Sequence, residues 1–323
     1  MNGDRPITGV SLAARLTLAA HALNNEGSRN NAILPRQVDV VHGDDVIQTN
    51  AISGDSLKHT FVDHLRMLAL EAGGEDDGGV PLCSACRKGD PNRLNADPQF
   101  QQLAADDKVP NEAVLDAVVQ RCAIDDVAGL LVTLGKRNAP RRSTAQFGWM
   151  VGRPDVVRTG RYMHLKLVPG APGAESEGGS NLGQNLFTRP ASSGEYGLVG
   201  SFDLARIGVN DVSWKPVVAL ERRRQRARMV LEALFRTVTN PGGAQRNTQL
   251  PHVEAAVGAV CIARSSLPPA LWSPLAEDYR GQMESIASAF NRDSGVLTVY
   301  RFDTAGQLGE ILTGLAAGPL IEV

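Results

Sequence analysis

The sequence predicts a mixed fold, an α/β or α+β sandwich core carrying two long insertions. Three observations lead there. Segments of strand and helix periodicity are interspersed along the chain, and both outer segments are built of regular elements. Two stretches, residues 73–112 and 135–190, break the pattern with Gly, Pro and Asp; insertions of that size in a compact domain usually carry function.

Residues 7–23 alternate around Val10, Leu12, Ala14, Leu16 and Leu18 and read as a long strand. An Asn- and Gly-rich loop, Asn24 to Asn31, follows, and Gln37 to Ile47 reads as a second strand with a Gly43-Asp44-Asp45 turn. Ser53 is placed to cap a helix whose apolar stripe is Leu57, Phe61, Leu65 and Leu68, and Gly73-Gly74 ends it. Beyond the first irregular stretch, Asn111 to Gln120 is a short helix and Val127 to Leu134 an apolar run. The second stretch holds a hairpin, Gln146–Val151 against Tyr162–Val168, and a flexible tract, Gly170 to Gly183. Strand sequence returns at Tyr196–Ile207, and a helix spans Val218–Val238 up to Asn240-Pro241-Gly242-Gly243. Val257–Ala263 is a strand, Ala276–Phe290 a helix, Val296–Phe302 a strand, and a last helix runs over Ala305–Leu315. There is no internal repeat.

The 323 residues suffice for a sizeable core, and 42% hydrophobic with 21% charged residues is ordinary for a globular protein. No apolar run reaches the length of a membrane span, and Met1 to Pro6 lack the apolar stretch of a signal peptide. With only four cysteines, at 83, 86, 122 and 261, a reducing cytoplasm is expected.

A net charge of −2 argues against a nucleic-acid binder, but its distribution does not. Lys136 to Lys166 holds eight cations against Asp155, and Glu221 to Arg246 seven arginines against Glu221 and Glu232. Glu71 to Asp116 holds ten acids against four cations. Such separation suits a basic face along a polyanion and association between copies; solvated surface charge that happens to cluster is the plainer alternative.

Ser53-Gly54-Asp55, with Lys58 and His59 in the next turn, offers backbone N–H groups and cations to a phosphate, although a plain capped helix has the same signature. Gly242-Gly243-Ala244-Gln245-Arg246-Asn247 allows close backbone approach beside polar side chains, and equally serves as a C-capping loop. Arg141-Arg142-Ser143 lies in the most basic window, with Phe147, Trp149 and Tyr162 as stacking candidates or core residues. The helix carrying Arg222, Arg223, Arg224, Arg226 and Arg228 puts cations at its N-terminal half, against the helix dipole; an anion compensates them or water solvates them. Cys83-x-x-Cys86 with Cys122-x-x-Asp125 supplies three thiolates and a carboxylate, the donor set of a structural zinc site. Asp125 departs from a four-cysteine pattern, and two reduced surface cysteines with a buried Cys122 are the other reading. No H-E-x-x-H pair, G-x-S-x-G elbow or Lys-Ser/Thr phosphate loop occurs, so no enzyme activity is expected.

Together these segments resemble the CRISPR-associated backbone subunit of type I Cascade complexes, in its DevR-like (type I-A/I-B) family. The matching stretches are the first strand ending Ala22-Leu23-Asn24, the Gly27…Asn31…Arg36 loop and Ala51-Ile52-Ser53-Gly54-Asp55…His59. They continue with Cys122-x-x-Asp125-Asp126-x-x-Gly129-x-Leu131, Arg141-Arg142-Ser143, and the arginine-rich helix leading to Gly242-Gly243-Ala244-x-Arg246. Each is short; order and spacing carry the likeness. It implies one α+β domain over residues 1–323, a modified RNA-recognition-motif (ferredoxin-like) palm with a finger-like insertion at 73–115 and a thumb-like one at 136–190. By the same resemblance Arg15, Asn24, Arg36, Ser53, Gly54 and His59 line the palm groove. Arg141, Arg142 and Ser143 stand at the thumb base, and Gly242, Gly243, Arg246 and Asn247 in the glycine loop. Arg29 and Lys58 join them on charge and placement.

The expected role is that of a non-catalytic scaffold. Copies of the chain stack along crRNA with other Cascade subunits and present the guide to target DNA, so that base pairing reads the sequence. Two alternatives stand beside it: a type III-like backbone subunit cutting target RNA through Asp55 or Asp45, and a transcriptional autoregulator binding duplex DNA.

Overall fold

The computed structural model describes residues 5–30, 32–73, 79–166, 185–291 and 295–321. In chain order its strands are β1 (Gly9–His21), β2 (Asn25–Arg29), β3 (Ala32–Pro35), β4 (Gln37–His42), β5 (Asp45–Ile52), β6 (Leu130–Val132) and β7 (Ala139–Arg141). They continue with β8 (Ala145–Phe147), β9 (Met150–Gly152), β10 (Arg158–Lys166), β11 (Asn185–Asp203), β12 (His252–Ala263) and β13 (Leu297–Phe302). The helices are α1 (Gly54–Glu71), α2 (Ser84–Lys88), α3 (Pro98–Ala105), α4 (Asn111–Arg121), α5 (Ala123–Ala128), α6 (Leu220–Thr239), α7 (Tyr279–Phe290) and α8 (Ala305–Ala317).

β1 is the centre of the sheet because both of its faces are apolar or small: Leu12, Leu16 and Leu18 bury one face, Ser11 and Ala13 the other. It pairs antiparallel with β11 on one side and β12 on the other. β8 and β9 pair with β11, also antiparallel, and β13 extends the sheet beside β12. The chain order β1, α1, β8/β9, β11, α6, β12 laid out as β12-β1-β11-β8/β9 is the split βαβ arrangement of a ferredoxin-like, RNA-recognition-motif-type α+β fold.

α1 and α6 cover one face of this sheet and pack on each other, with α8 against α6. Ser53 caps α1, its hydroxyl accepting from the Ser56 amide at 3.2 Å, and Leu57, Phe61, Leu65 and Leu68 are buried as the sequence periodicity requires. Phe61 packs on Phe147 and Phe202 with ring centroids 5.4 and 5.8 Å away, tying the helix to β8 and β11. The opposite face is roofed. Small residues Ala13, Ala259, Cys261 and Ala263 admit Tyr279 and Met283 of α7, and the Ser11 hydroxyl donates to the Ala270 carbonyl at 2.5 Å.

Three expectations change. Gln37 to Ile47 is a hairpin of β4 and β5 folded at the expected Gly43 turn, not one strand. Residues 73–112 carry regular structure, α2, a 3-10 turn over Arg93–Ala96 and α3. Tyr162 pairs with Arg189 of β11 rather than with 146–151, and β8 and β9 belong to the palm sheet, so the outlying part of 136–190 is β10 with the first half of β11. Asn31 and the tract Gly170 to Gly183 lie outside the described residues. Among the described residues no helix is long and apolar enough to cross a membrane.

Candidate nucleic-acid interface

The first turns of α1 form a ridge with a hollow on each side. Gly54 is required at its start, since a Cβ there would lie 2.6 Å from the Phe147 carbonyl. Beyond it, Asp55 and His59 are exposed and Lys58 half-buried. On one flank the 240–247 loop comes against the helix through its two glycines. A Cβ on Gly242 would meet Thr60 at 2.8 Å, and Gly243, at φ +153°, passes where a Cβ would be 2.6 Å from the Leu23 carbonyl. The hollow between loop and helix, about 520 Å³, is lined by His59, His64, Asn240, Arg246 and Asn247. On the other flank Ser143, Gln146 and Trp149 face Gly54 and Lys58 across a hollow of about 300 Å³. A third, of about 290 Å³, separates Lys58, His59 and Arg66 of α1 from Cys86 and Arg93 of the first insertion.

The ridge is of mixed sign. His59 Nε2 lies 3.4 Å from Asp63, and Arg66 lies 3.9 Å from the same carboxylate. Burial, and then the Arg93 charge, hold the Lys58 ammonium below its ordinary pKa, with Asp55 opposing. Burial likewise lowers His64, whose ring is 3.3 Å from the Asn240 carbonyl oxygen. Arg246 donates to Asn240 Oδ1, while its Nε is buried with no partner among the described residues. Arg36 sits over the Trp149 ring at 5.6 Å and 3.6 Å from Glu26, which places it at the rim of the Ser143–Trp149 hollow. Arg142 is exposed, its backbone N–H held by Asp211 at 2.9 Å. Ser53, Gly54, Lys58, His59, Ser143, Gly242, Gly243, Arg246 and Asn247 are thus brought together from distant parts of the chain. Arg29 is exposed on β2, in the sheet extension that also holds β3 and β10.

Three residues assigned to RNA by resemblance are used inside the fold instead. Arg15 lies on the roofed face of the sheet, donating to the Pro274 and Ala276 carbonyls at 2.7 and 2.9 Å and stacking on Tyr279. Asn24 is buried; its Nδ2 donates to the Arg36 carbonyl at 3.1 Å and to Asn50 Oδ1 at 2.5 Å, which fixes the turn out of β1. Arg141 has no exposed side-chain surface and donates to Asp126 Oδ1 at 2.6 Å. The same Asp126 accepts from Arg226 at 2.7 Å and from the Gly208 amide at 3.0 Å. Within the arginine-rich helix, Arg226 is thus compensated by an internal anion, while Arg224 and Arg228 pair with the exposed Glu221. Arg223, also buried, donates to the Ile207 and Ala205 carbonyls at 2.7 Å each.

The structure also brings together Cys83, Cys86, Cys122 and Asp125, all four buried, with their donor atoms within 4.8 Å of one another. The sequence reading missed Arg66, Arg93 and Asn240 as parts of this surface. Arg66 is on the recognised helix at i+3 from Asp63, a signal that was there to read; Arg93 lies in a segment without periodicity.

Fold and ridge together define an RNA-recognition-motif-like α+β protein with a first insertion that walls its helical side. Residues 12–284 match the model of the CRISPR-associated negative auto-regulator DevR/Csa2 family, and the chain belongs to that family. Among solved structures it is similar to a chain of a "CRISPR RNA-guided surveillance complex, pre-nicking", at 13% identity and a TM-score of 0.52, over 95% of this chain and 100% of that one. A chain of a "CRISPR RNA-guided surveillance complex" is 13% identical, with a TM-score of 0.48 over 95% of this chain and 99% of that one. At such identity the first likeness is one of fold. No curated protein sequence matches.

Proposed function

We propose that the chain is a non-catalytic backbone subunit of a type I CRISPR interference complex, aligning in several copies along crRNA and leaving the guide bases free to pair with target DNA. One observation carries the reading: segments that family resemblance assigned to RNA meet on one ridge, with glycines wherever backbone must come close. Family membership and the fold shared with a surveillance-complex chain support it.

The test measures binding of guide-length single-stranded RNA across a salt series for the wild type and for Lys58→Ala/Arg142→Ala/Arg246→Ala. Removing one cation that neutralises a phosphate reduces the salt slope by roughly 0.7 for a single strand. The triple variant is expected to lower the slope by about 2 and to bind weakly at every salt, with urea unfolding unchanged. Equal slopes and affinities refute the assignment. Labelled target RNA offered with divalent metal to the assembled complex should stay intact; regularly spaced cuts would make the protein a ribonuclease. The family's description as a negative auto-regulator motivates a competition between guide RNA and duplex promoter DNA, in which preference for the duplex would favour a regulator.

A further inference from the structure

We propose that Cys83, Cys86, Cys122 and Asp125 bind one structural zinc ion that fastens the first insertion to the palm. The donor atoms already lie within 4.8 Å of one another. Cys83 Sγ and Cys86 Sγ are 3.9 and 3.7 Å from Asp125 Oδ2. Zinc held at its usual ~2.3 Å from sulfur and ~2.0–2.2 Å from oxygen has ligand-to-ligand edges of roughly 3.5–3.8 Å. The group needs only a small contraction to close on an ion.

Two neighbouring acids are treated differently by the fold. Asp125 and Asp126 are equally buried, at 0% exposure. Asp126 is neutralised by two guanidinium groups and a backbone amide. Asp125 has one guanidinium near it, and at a looser distance. Its Oδ1 makes no hydrogen bond of good geometry among the described residues, and Arg93 Nη1 stands 3.5 Å away. Its Oδ2 faces thiols. A buried carboxylate whose Oδ2 meets only weak thiol donors and whose Oδ1 has one loose ion pair is short of the charge compensation that a divalent cation would supply.

The sulfurs are prepared as well. The Cys86 amide donates to Cys83 Sγ at 3.3 Å, and Gly89, left-handed at φ +72°, turns the chain directly after α2. All cysteines are free thiols. Three thiolates and one carboxylate select zinc over the hard, octahedral cations, and four protein ligands leave no open position for catalysis. Their combined negative charge exceeds that of the ion, and Arg93, itself in a left-handed conformation at φ +51°, is set to offset part of the surplus. The elements joined need a fastener. α2 has five residues and the 3-10 turn four, too short to hold their place by helix formation, whereas Asp125 is on α5, deep in the core. Cys86 and Arg93 then form the wall facing Lys58, so the ion would fix that wall.

The experiment uses the full chain purified without chelator. About one zinc per chain is expected by elemental mass spectrometry. Replacement by Co²⁺ should give the ligand-field bands of a tetrahedral site and a thiolate-to-cobalt charge-transfer band. Asp125→Ala and Cys122→Ser should abolish these bands, and Cys261→Ser, at a buried cysteine elsewhere, should keep them. Should Cys122→Ser fail to fold, Asp125→Cys decides: it is expected to retain one metal and shift the cobalt spectrum to that of four thiolates. A folded wild type that takes up neither metal, a Cys83–Cys86 disulfide found by mass, metal loss in Cys261→Ser equal to that in Cys122→Ser, or metal loss in Asp125→Cys would each overturn the proposal.

Discussion

Replacing Arg141 by Met separates a brace from an RNA-binding group. In the structure the Arg141 Nε donates to the Asp126 carbonyl at 3.0 Å, and Nη1 donates to the Val209 carbonyl at 2.8 Å and lies 3.1 Å from Asp211. Nη2 reaches Asp126 Oδ1 at 2.6 Å and the Arg206 carbonyl at 2.9 Å. Met fills much of the volume and removes every one of these donors. Asp126 keeps Arg226 and the Gly208 amide, and Asp211 keeps Arg206, so neither acid is stranded altogether. Three carbonyls nevertheless lose donors in the interior. Breaking a buried pair by removing one member costs about 3–5 kcal/mol, a large part of the roughly 5–15 kcal/mol that holds a folded chain together. Urea unfolding followed by circular dichroism and by tryptophan fluorescence measures it, with Arg142→Met, exposed one residue away, expected within about 0.5 kcal/mol of wild type. An Arg141→Met protein as stable as wild type to within about 1 kcal/mol, yet unable to bind RNA, would show that the guanidinium reaches outward when the protein works.

Further predictions concern other parts of the fold. Burial lowers the His21 pKa to about 4 from an ordinary 6.5, so the unfolded chain takes up a proton that the fold refuses. Stability present above pH 6.5 should then be lost as pH falls toward 4, by about 3 kcal/mol, and His21→Leu should remove that part of the slope in urea midpoints measured across pH; parallel profiles refute it. Gly243→Ala forces a side chain into a left-handed conformation 2.6 Å from the Leu23 carbonyl and should lower thermal stability by about 1–3 kcal/mol while displacing the loop from α1; an unchanged melting curve would contradict that geometry. Phe61→Ala empties the centre of an aromatic cluster and should cost about 3–5 kcal/mol by denaturant titration, a loss below 1 kcal/mol meaning that the helix does not pack as described.

What the sequence disclosed and what it withheld divide along one physical line. β1, α1 with its Ser53 cap, α6 and α8 were legible because their periodicity and caps are local. α2 was not, since five residues without an apolar repeat take their shape from what they pack against. The partner of β10 was misplaced because pairing is a register match with a distant strand, and nothing in Tyr162 to Leu165 names β11. In the site, Lys58 and Arg141 both looked like cations awaiting phosphate; only the location of Asp126 across the core tells them apart. Cys122-x-x-Asp125-Asp126, Arg141 and the arginine-rich helix, three of the stretches behind the resemblance, turn out to meet at that one acid. An Asp pair running into an apolar stretch was the available hint, because a buried acid implies a buried cation.

The roof that α7 lays over the sheet carries a consequence for how a polymer can be handled. In the four-stranded domains of this architecture that read single strands, the surface away from the helices is bare and aromatic, and bases lie flat upon it to be told apart. Here Tyr279 and Met283 occupy that platform from above and Arg15 is tethered to the covering chain. If the proposed role holds, a guide strand would be left with the helical side, gripped by its sugar–phosphate edge with its letters facing away, unread by the carrier and open to a complementary strand.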